Sequence, residues 1–308
     1  MKCLLDPVSQ SFVENNLSLF VDPLLRQMLW SGLYNSVRDG LLSTKSYVKL
    51  VCKHIGNESD PKLIQTIINS ADTSVKIFVP NEYYYDELDI LFKISAEKYK
   101  ICDQKTLNEK IIWEKALVSF GCSIENVHEL ISLLDNPNSK LSQRSRWDII
   151  QKAISWDFPN AETLLQKEKE NDLSDAARRA ILTCSTSKPD ADIKRRAWDK
   201  FLVEDSNLSA HERSAEMAGF RNFNQHNLVS EYKWKFFDEV RQIFQTREKR
   251  FAESFVDNLF PFEPEDNIVH EKTANLLALL TPEEHHLKHV LKEKLDDLER
   301  VRMCRSIY

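Results

Sequence analysis

The sequence predicts an all-α fold: an irregular α-solenoid of the HEAT or armadillo kind, in which antiparallel helix pairs form a curved bowl. Three observations carry that expectation. Apolar residues recur at helical spacing through most of the 308 residues. Only 5 Gly and 10 Pro are present, which suits helices joined by short polar loops rather than a succession of tight turns. Capping signals divide the chain into about fifteen short helices, and sequential pairs of such helices bury their apolar faces by stacking. No fixed repeat period is visible, which argues against strict tetratricopeptide or ankyrin arrays.

Asp22-Pro23 opens a segment with Leu25, Leu29, Leu33 and Val37 at helical spacing, ending near Gly40. Ser43 can cap the next helix, which carries Tyr47, Leu50 and Val51. Helix patterns follow at about 61–77, 82–100 and 105–120, the last opened by the capping box Thr106-x-x-Glu109. Val75 to Val79 also admits a short strand, against the helical pattern around it. The stretch at roughly 135–145, with Asp135-Asn136-Pro137-Asn138, reads as a loop inside one domain spanning 1–308.

Beyond that loop, Trp147, Ile150 and Ile154 share a helix face, and Phe158-Pro159-Asn160 interrupts the chain and can cap the following helix. Ser174 precedes a helix through Ala180 and Ile181, and Lys188-Pro189 starts another through Ile193, Ala197, Trp198 and Phe201. Ser209-x-x-Glu212 is a capping box. From about 226 to 246, Tyr232, Phe236, Val240 and Ile243 fall on one stripe. Thr281-Pro282-Glu283-Glu284 combines a cap, an N1 proline and an N3 glutamate; Leu287, Leu291, Leu298 and Val301 give the helix behind it a buried face.

The formal charge of −6 argues against a nucleic-acid surface, which needs a basic excess. The apolar runs are too short for a membrane span, and no signal peptide opens the chain. Six scattered cysteines without a C-x-x-C pair suit reduced thiols in a cytosol-like compartment, so the expected location is cytoplasmic. Three N-x-S triplets, at Asn16, Asn57 and Asn207, weigh little against that.

No catalytic constellation survives a pass along the chain. His128-Glu129, His211-Glu212 and His270-Glu271 begin like a zincin motif, but the fifth positions are Ser132, Ala215 and Ala274. The motif needs a second imidazole one turn on to share the Zn²⁺, so none of the three is a zinc site of that type. His285 and His289 form an i, i+4 pair beside His286, with Glu293 one turn on; a solvated helix face is the favoured reading, and no metal ligands are assigned. Cys122 and Cys184 sit among apolar residues and read as buried thiols. Neither a G-x-S-x-G elbow nor a Gly-rich phosphate loop is present.

Two stretches carry a family resemblance. The first is Leu5-Asp6-Pro7-Val8-Ser9, then Asp22-Pro23-Leu24-Leu25-Arg26, then Trp30 through Asp39. The second runs from about Leu141 to the end and contains, in order, Arg146-Trp147, Glu168 to Asp172, Ser187-Lys188-Pro189-Asp190, Lys194 to Trp198, Ala218-Gly219-Phe220, Leu259-Phe260-Pro261 and Leu295 to Arg300. Together they resemble the C-terminal helical domain of aminopeptidase N-type zinc metallopeptidases, the endoplasmic-reticulum-aminopeptidase-like C-terminal domain. Residues 55–110 match poorly. Tyr34 and Ser36 stand where that family often has Trp and Met.

The resemblance implies a non-catalytic domain that closes over a catalytic domain of the same polypeptide and walls the cavity for a peptide substrate. Zinc and the catalytic glutamate would lie upstream, leaving this chain without a cofactor of its own. A freestanding α-solenoid that binds a protein or peptide is the alternative. For the cavity wall, the candidates are Trp30, Tyr34 and Arg38, one turn apart, which offer stacking and a guanidinium–carboxylate contact. The competing and favoured reading packs both aromatics against the next helix and pairs Arg38 with an acid. Tyr83, Tyr84 and Tyr85 are interface candidates, because adjacent helical positions point about 100° apart and cannot all face one core. A helix start packed on two sides is the plainer account of them.

Overall fold

In a computed structural model the structure describes residues 4–102, 107–136, 139–203 and 207–308, among which there are seventeen α-helices and no strand. The all-α expectation holds. The chain forms two compact units, Met1–Asn126 with Glu299–Tyr308, and Val127–Leu298.

The first unit contains α1 (Pro7–Asn16), α2 (Pro23–Arg38), α3 (Thr44–His54), α4 (Pro61–Phe78), α5 (Tyr84–Ile101) and α6 (Leu107–Phe120). Asp6, Asp22 and Asp60 each precede a proline and accept from backbone amides of the first turn, so three helices start on the same Asp-Pro device. Ser43 caps α3 through the Ser46 amide. Gly40, at φ +66°, ends α2: its N–H donates to Val37 O and that of Leu41 to Ser36 O, a Schellman closure that an L side chain would strain. From α2 to α6 each helix packs against its successor and the helix after that. Leu33, Val37, Tyr47, Ile64, Val75 and Phe92 are buried between them. The strand alternative at Val75 to Val79 gives way to α4, which runs to Phe78.

In the second unit lie α8 (Gln143–Ser155), α9 (Ala161–Asn171), α10 (Asp175–Ser187), α11 (Ala191–Leu202), α12 (Ala210–Ala218), α13 (His226–Val229), α14 (Tyr232–Thr246), α15 (Lys249–Leu259) and α16 (Asn267–Leu279). The division between units falls inside α7 (Ile124–Asp135) and inside α17 (His285–Arg305). Helix α10 packs on α8 and α12, and α12 on α15. The core is aromatic: the Trp198 ring lies 5.9 Å from Phe220, 5.2 Å from Tyr232 and 5.9 Å from Phe255, and Phe236 stacks on Phe255.

Several expected boundaries shift for local reasons. Asn160 occupies the position before α9, but its side chain accepts no amide. Pro189 lies outside α11, and Asp190 does the capping by accepting from Ile193 N. The 226–246 pattern is divided between α13 and α14, yet Tyr232, Phe236, Val240 and Ile243 remain buried. Both predicted boxes at Ser209 and Thr281 form, the second on a 3₁₀ turn ahead of α17. Thr106 and the Pro137-Asn138 part of the loop lie outside the described residues.

Candidate functional site

The α2 stripe divides three ways. Trp30 is 2% exposed, meets Tyr47 of α3 edge to face at 6.2 Å, and donates its indole N–H to Glu58 Oε1 at 3.1 Å. The other oxygen of Glu58 accepts from Arg26 Nε at 2.9 Å, so one buried carboxylate ties Trp30 and Arg26 together. Tyr34 is half-buried, 6.3 Å from Tyr47, and burial raises its phenol pKa. Arg38 is exposed. The packing of Trp30 and Tyr34 on α3 follows the plainer alternative; Glu58, which organises it, stands in the part of the sequence where family motifs were weak.

Tyr83 is 40% exposed, stacked 4.9 Å from Tyr308, with Lys45 Nζ 5.7 Å and 5.4 Å from the two rings. Tyr84 is buried and meets the half-buried Tyr85 edge to face at 5.5 Å. Of the three, Tyr83 is the exposed one, and it lies on the 3₁₀ turn Asn81–Tyr83 ahead of α5 rather than in that helix. On α17, His286 lies 3.2 Å from Glu253 and His289 lies 3.3 Å from Glu293, an arrangement of separate His–Glu pairs. Among the described residues no group of three or more His, Cys, Asp or Glu could hold a metal ion.

Sequence reasoning singled out no groove, but the second unit has one of about 390 Å³ among α8, α10 and α12. Small side chains, Ala176, Ala180, Ala215 and Ala218, share its lining with Trp147, Asp148, Asp172 and Arg179. Its shape comes from the close approach of α10 and α12. Thr183 Oγ1 donates to Ala215 O at 2.8 Å and Thr186 Oγ1 to Glu216 O at 2.7 Å, so hydroxyls of α10 meet carbonyls of α12. Gly219 sits at that crossing, where a Cβ would collide with Thr183 O and with the Thr186 and Ser187 hydroxyls. The signal for such a groove, alanines and threonines on two helices thirty residues apart, means nothing until those helices are known to pack.

The walls are fixed by charge-assisted bonds. Arg146 grips Glu168 with two bonds, Nε–Oε1 at 2.9 Å and Nη2–Oε2 at 2.6 Å, and Gln143 adds a third at 2.6 Å. Burial pushes the Glu168 carboxyl up, but these donors outweigh it and hold the pKa below the usual value. Asp172 is lowered mainly by the Trp147 indole N–H, which donates to it at 2.8 Å, and then by Ser174. Cys184 is buried and its thiol is pushed up to about 12 by desolvation, which leaves it protonated and unreactive at neutral pH.

The bonds also join the sequence elements that carried the resemblance. Arg146-Trp147 pairs with Glu168 and Asp172. Lys194, fully buried, donates to Thr186 O at 2.6 Å and Phe220 O at 2.8 Å. Arg221, which follows the Ala218-Gly219-Phe220 motif, donates to Phe260 O. Motifs far apart in sequence are thus the two ends of single interactions.

The chain is all-helical over its described residues, and resemblance motifs distant in sequence bond in pairs, Arg146-Trp147 with Glu168 and Asp172 and Lys194 with Phe220. The chain belongs to the ERAP1-like C-terminal domain family, whose sequence model matches residues 1–300. It is also 23% identical, over 304 residues, to an aminopeptidase N from Streptomyces lividans. That match covers 97% of this chain and 35% of the relative, so the chain spans about a third of the relative's length.

Proposed function

We propose that residues 1–308 act as one non-catalytic C-terminal domain of a zinc aminopeptidase, closing over the catalytic domain and walling the cavity that holds the peptide. The observation that carries this is the family match through both compact units, together with similarity to about a third of an aminopeptidase. The packing of each helix on its next two neighbours from α2 to α6 supports a HEAT-like solenoid, whose curvature would supply a concave wall. Movement of such a wall excludes water and limits the peptide length admitted. The α8/α10/α12 groove and the exposed Arg38 are the places where a peptide would touch it, by backbone contact against small side chains and by a guanidinium–carboxylate pair.

The described residues do not fit a zinc site, so zinc in this reading belongs to the upstream part of the polypeptide. A reducing, cytoplasmic setting is part of the same reading. The isolated chain is expected to show no turnover of an aminoacyl reporter and no stoichiometric zinc by metal analysis. Turnover together with one zinc per chain would overturn the proposal. A freestanding peptide-binding module is the second reading, favoured by a groove that is complete within one unit. An endogenous band at 36.0 kDa on an immunoblot of the native source would select it; a band two to three times larger selects the aminopeptidase domain.

A further inference from the structure

The largest concentration of exposed apolar side chains in the first unit lies between Leu4 and Met28. Val21 is 90% exposed, Val8 80%, Leu19 73%, Leu24 64%, Phe12 59% and Met28 47%. Val8 and Phe12 stand one turn apart on α1, and Leu24 and Met28 one turn apart on α2. The Phe12 ring meets Phe20 at 6.3 Å, which brings the α1 pair beside the 19–21 turn. Arg26 Nη1 donates to Phe20 O and Val21 O, which holds that turn against α2.

The platform is pinned from beneath. Glu58 holds Arg26, and the His54 ring lies 2.6 Å from Ser18 Oγ and 3.0 Å from Glu14 O. Because Glu14 O can only accept, His54 Nε2 carries a proton there. An apolar surface of this extent on an anchored backbone is a prepared contact surface. Carboxylates border it: Asp6 and Asp22 stand at the starts of α1 and α2 and Glu14 in the last turn of α1, while Lys53 donates to Glu14 O and Arg26 is committed to Glu58.

We propose that this platform is where the domain docks on the upstream, catalytic part of its own polypeptide, against an apolar surface with a basic edge. The proposal rests on the function proposed above and names the surface that serves it. About two thirds of the matched aminopeptidase lies outside the region this chain resembles, which supplies a partner of sufficient size in the same polypeptide. The acidic edge selects a basic counterpart and disfavours an anionic membrane or a second copy of the same edge.

Hydroxyl-radical footprinting of the native full-length polypeptide and of the 308-residue chain, side by side, tests this. Phe12, Leu24 and Met28 should be modified at least fivefold more slowly in the full-length protein, while Met303 (45% exposed) and Leu279 (68% exposed) keep their rates. Equal rates at the platform in a longer native polypeptide would overturn this surface and leave the proposed function standing. A native polypeptide no longer than this chain would overturn both. Protection that rises with the concentration of the isolated chain assigns the platform to a second copy, and protection by anionic vesicles assigns it to lipid; either outcome overturns the proposal. The variant Phe12→Glu/Leu24→Glu, altering only exposed positions, should abolish the protection of Met28 in the full-length protein; persistence of that protection counts against the assignment.

Discussion

Gly219 shows how a single residue sets the distance between two helices. A methyl group there meets the backbone of α10, which cannot rotate away, so Gly219→Ala should cost about 2–3 kcal/mol in urea unfolding. Thr183→Val removes only the hydroxyl that bonds Ala215 O and should cost about 1 kcal/mol. Lys194 sets a different constraint. It is sealed between the carbonyls of Thr186 and Phe220, and desolvation pulls its pKa from 10.5 down to about 7. Between pH 7 and pH 10.5 the unfolded chain holds a proton that the folded chain has released, so this residue makes stability rise with pH across that window. Stability measured against pH should lose that rise in Lys194→Met; an unchanged slope would mean the ammonium stays charged in place. The helical spacing around Lys194 predicted the Ala197–Trp198–Phe201 face, but nothing in it marked a lysine for complete burial, since its two acceptors lie on other elements.

At the scale of elements, starts were legible and partners were not. Asp22-Pro23, Ser43, Ser174, Ser209 and Thr281 announce their helices because a cap needs only residues within one turn. The end of α17 is the opposite case. Its apolar face at Leu287, Leu291, Leu298 and Val301 was evident, whereas its return to the first unit was not. Cys304 Sγ lies 3.2 Å from Val37 O, Arg305 donates to Ile77 O, and Tyr308 O–H donates to Glu87 Oε1 at 2.6 Å. Burial and the Glu87 carboxylate keep the Tyr308 phenol protonated well above neutrality. Deleting residues 304–308 should therefore destabilise the first unit selectively. Limited proteolysis of the truncated chain should cut between residues 4 and 126 before it cuts between 127 and 298; the reverse order would show the tail to be dispensable.

For the whole molecule, the aromatic residues illustrate the limits of pattern. Trp30 and Tyr34 are one turn apart whether they face a cavity or a neighbour; the position of Tyr47 and Glu58 in space decides, and it sends Trp30 inward. Local periodicity, caps and the ordered motifs determined by themselves that this chain is all-helical and which family it belongs to, because both depend on residues a turn apart or on order along the chain. Only the tertiary structure decided that the chain forms two units, the first closed by its last ten residues, and that α8, α10 and α12 enclose a groove. Those features rest on contacts between residues tens to hundreds of positions apart, and such contacts follow from how buried surfaces fit, which helical spacing does not encode.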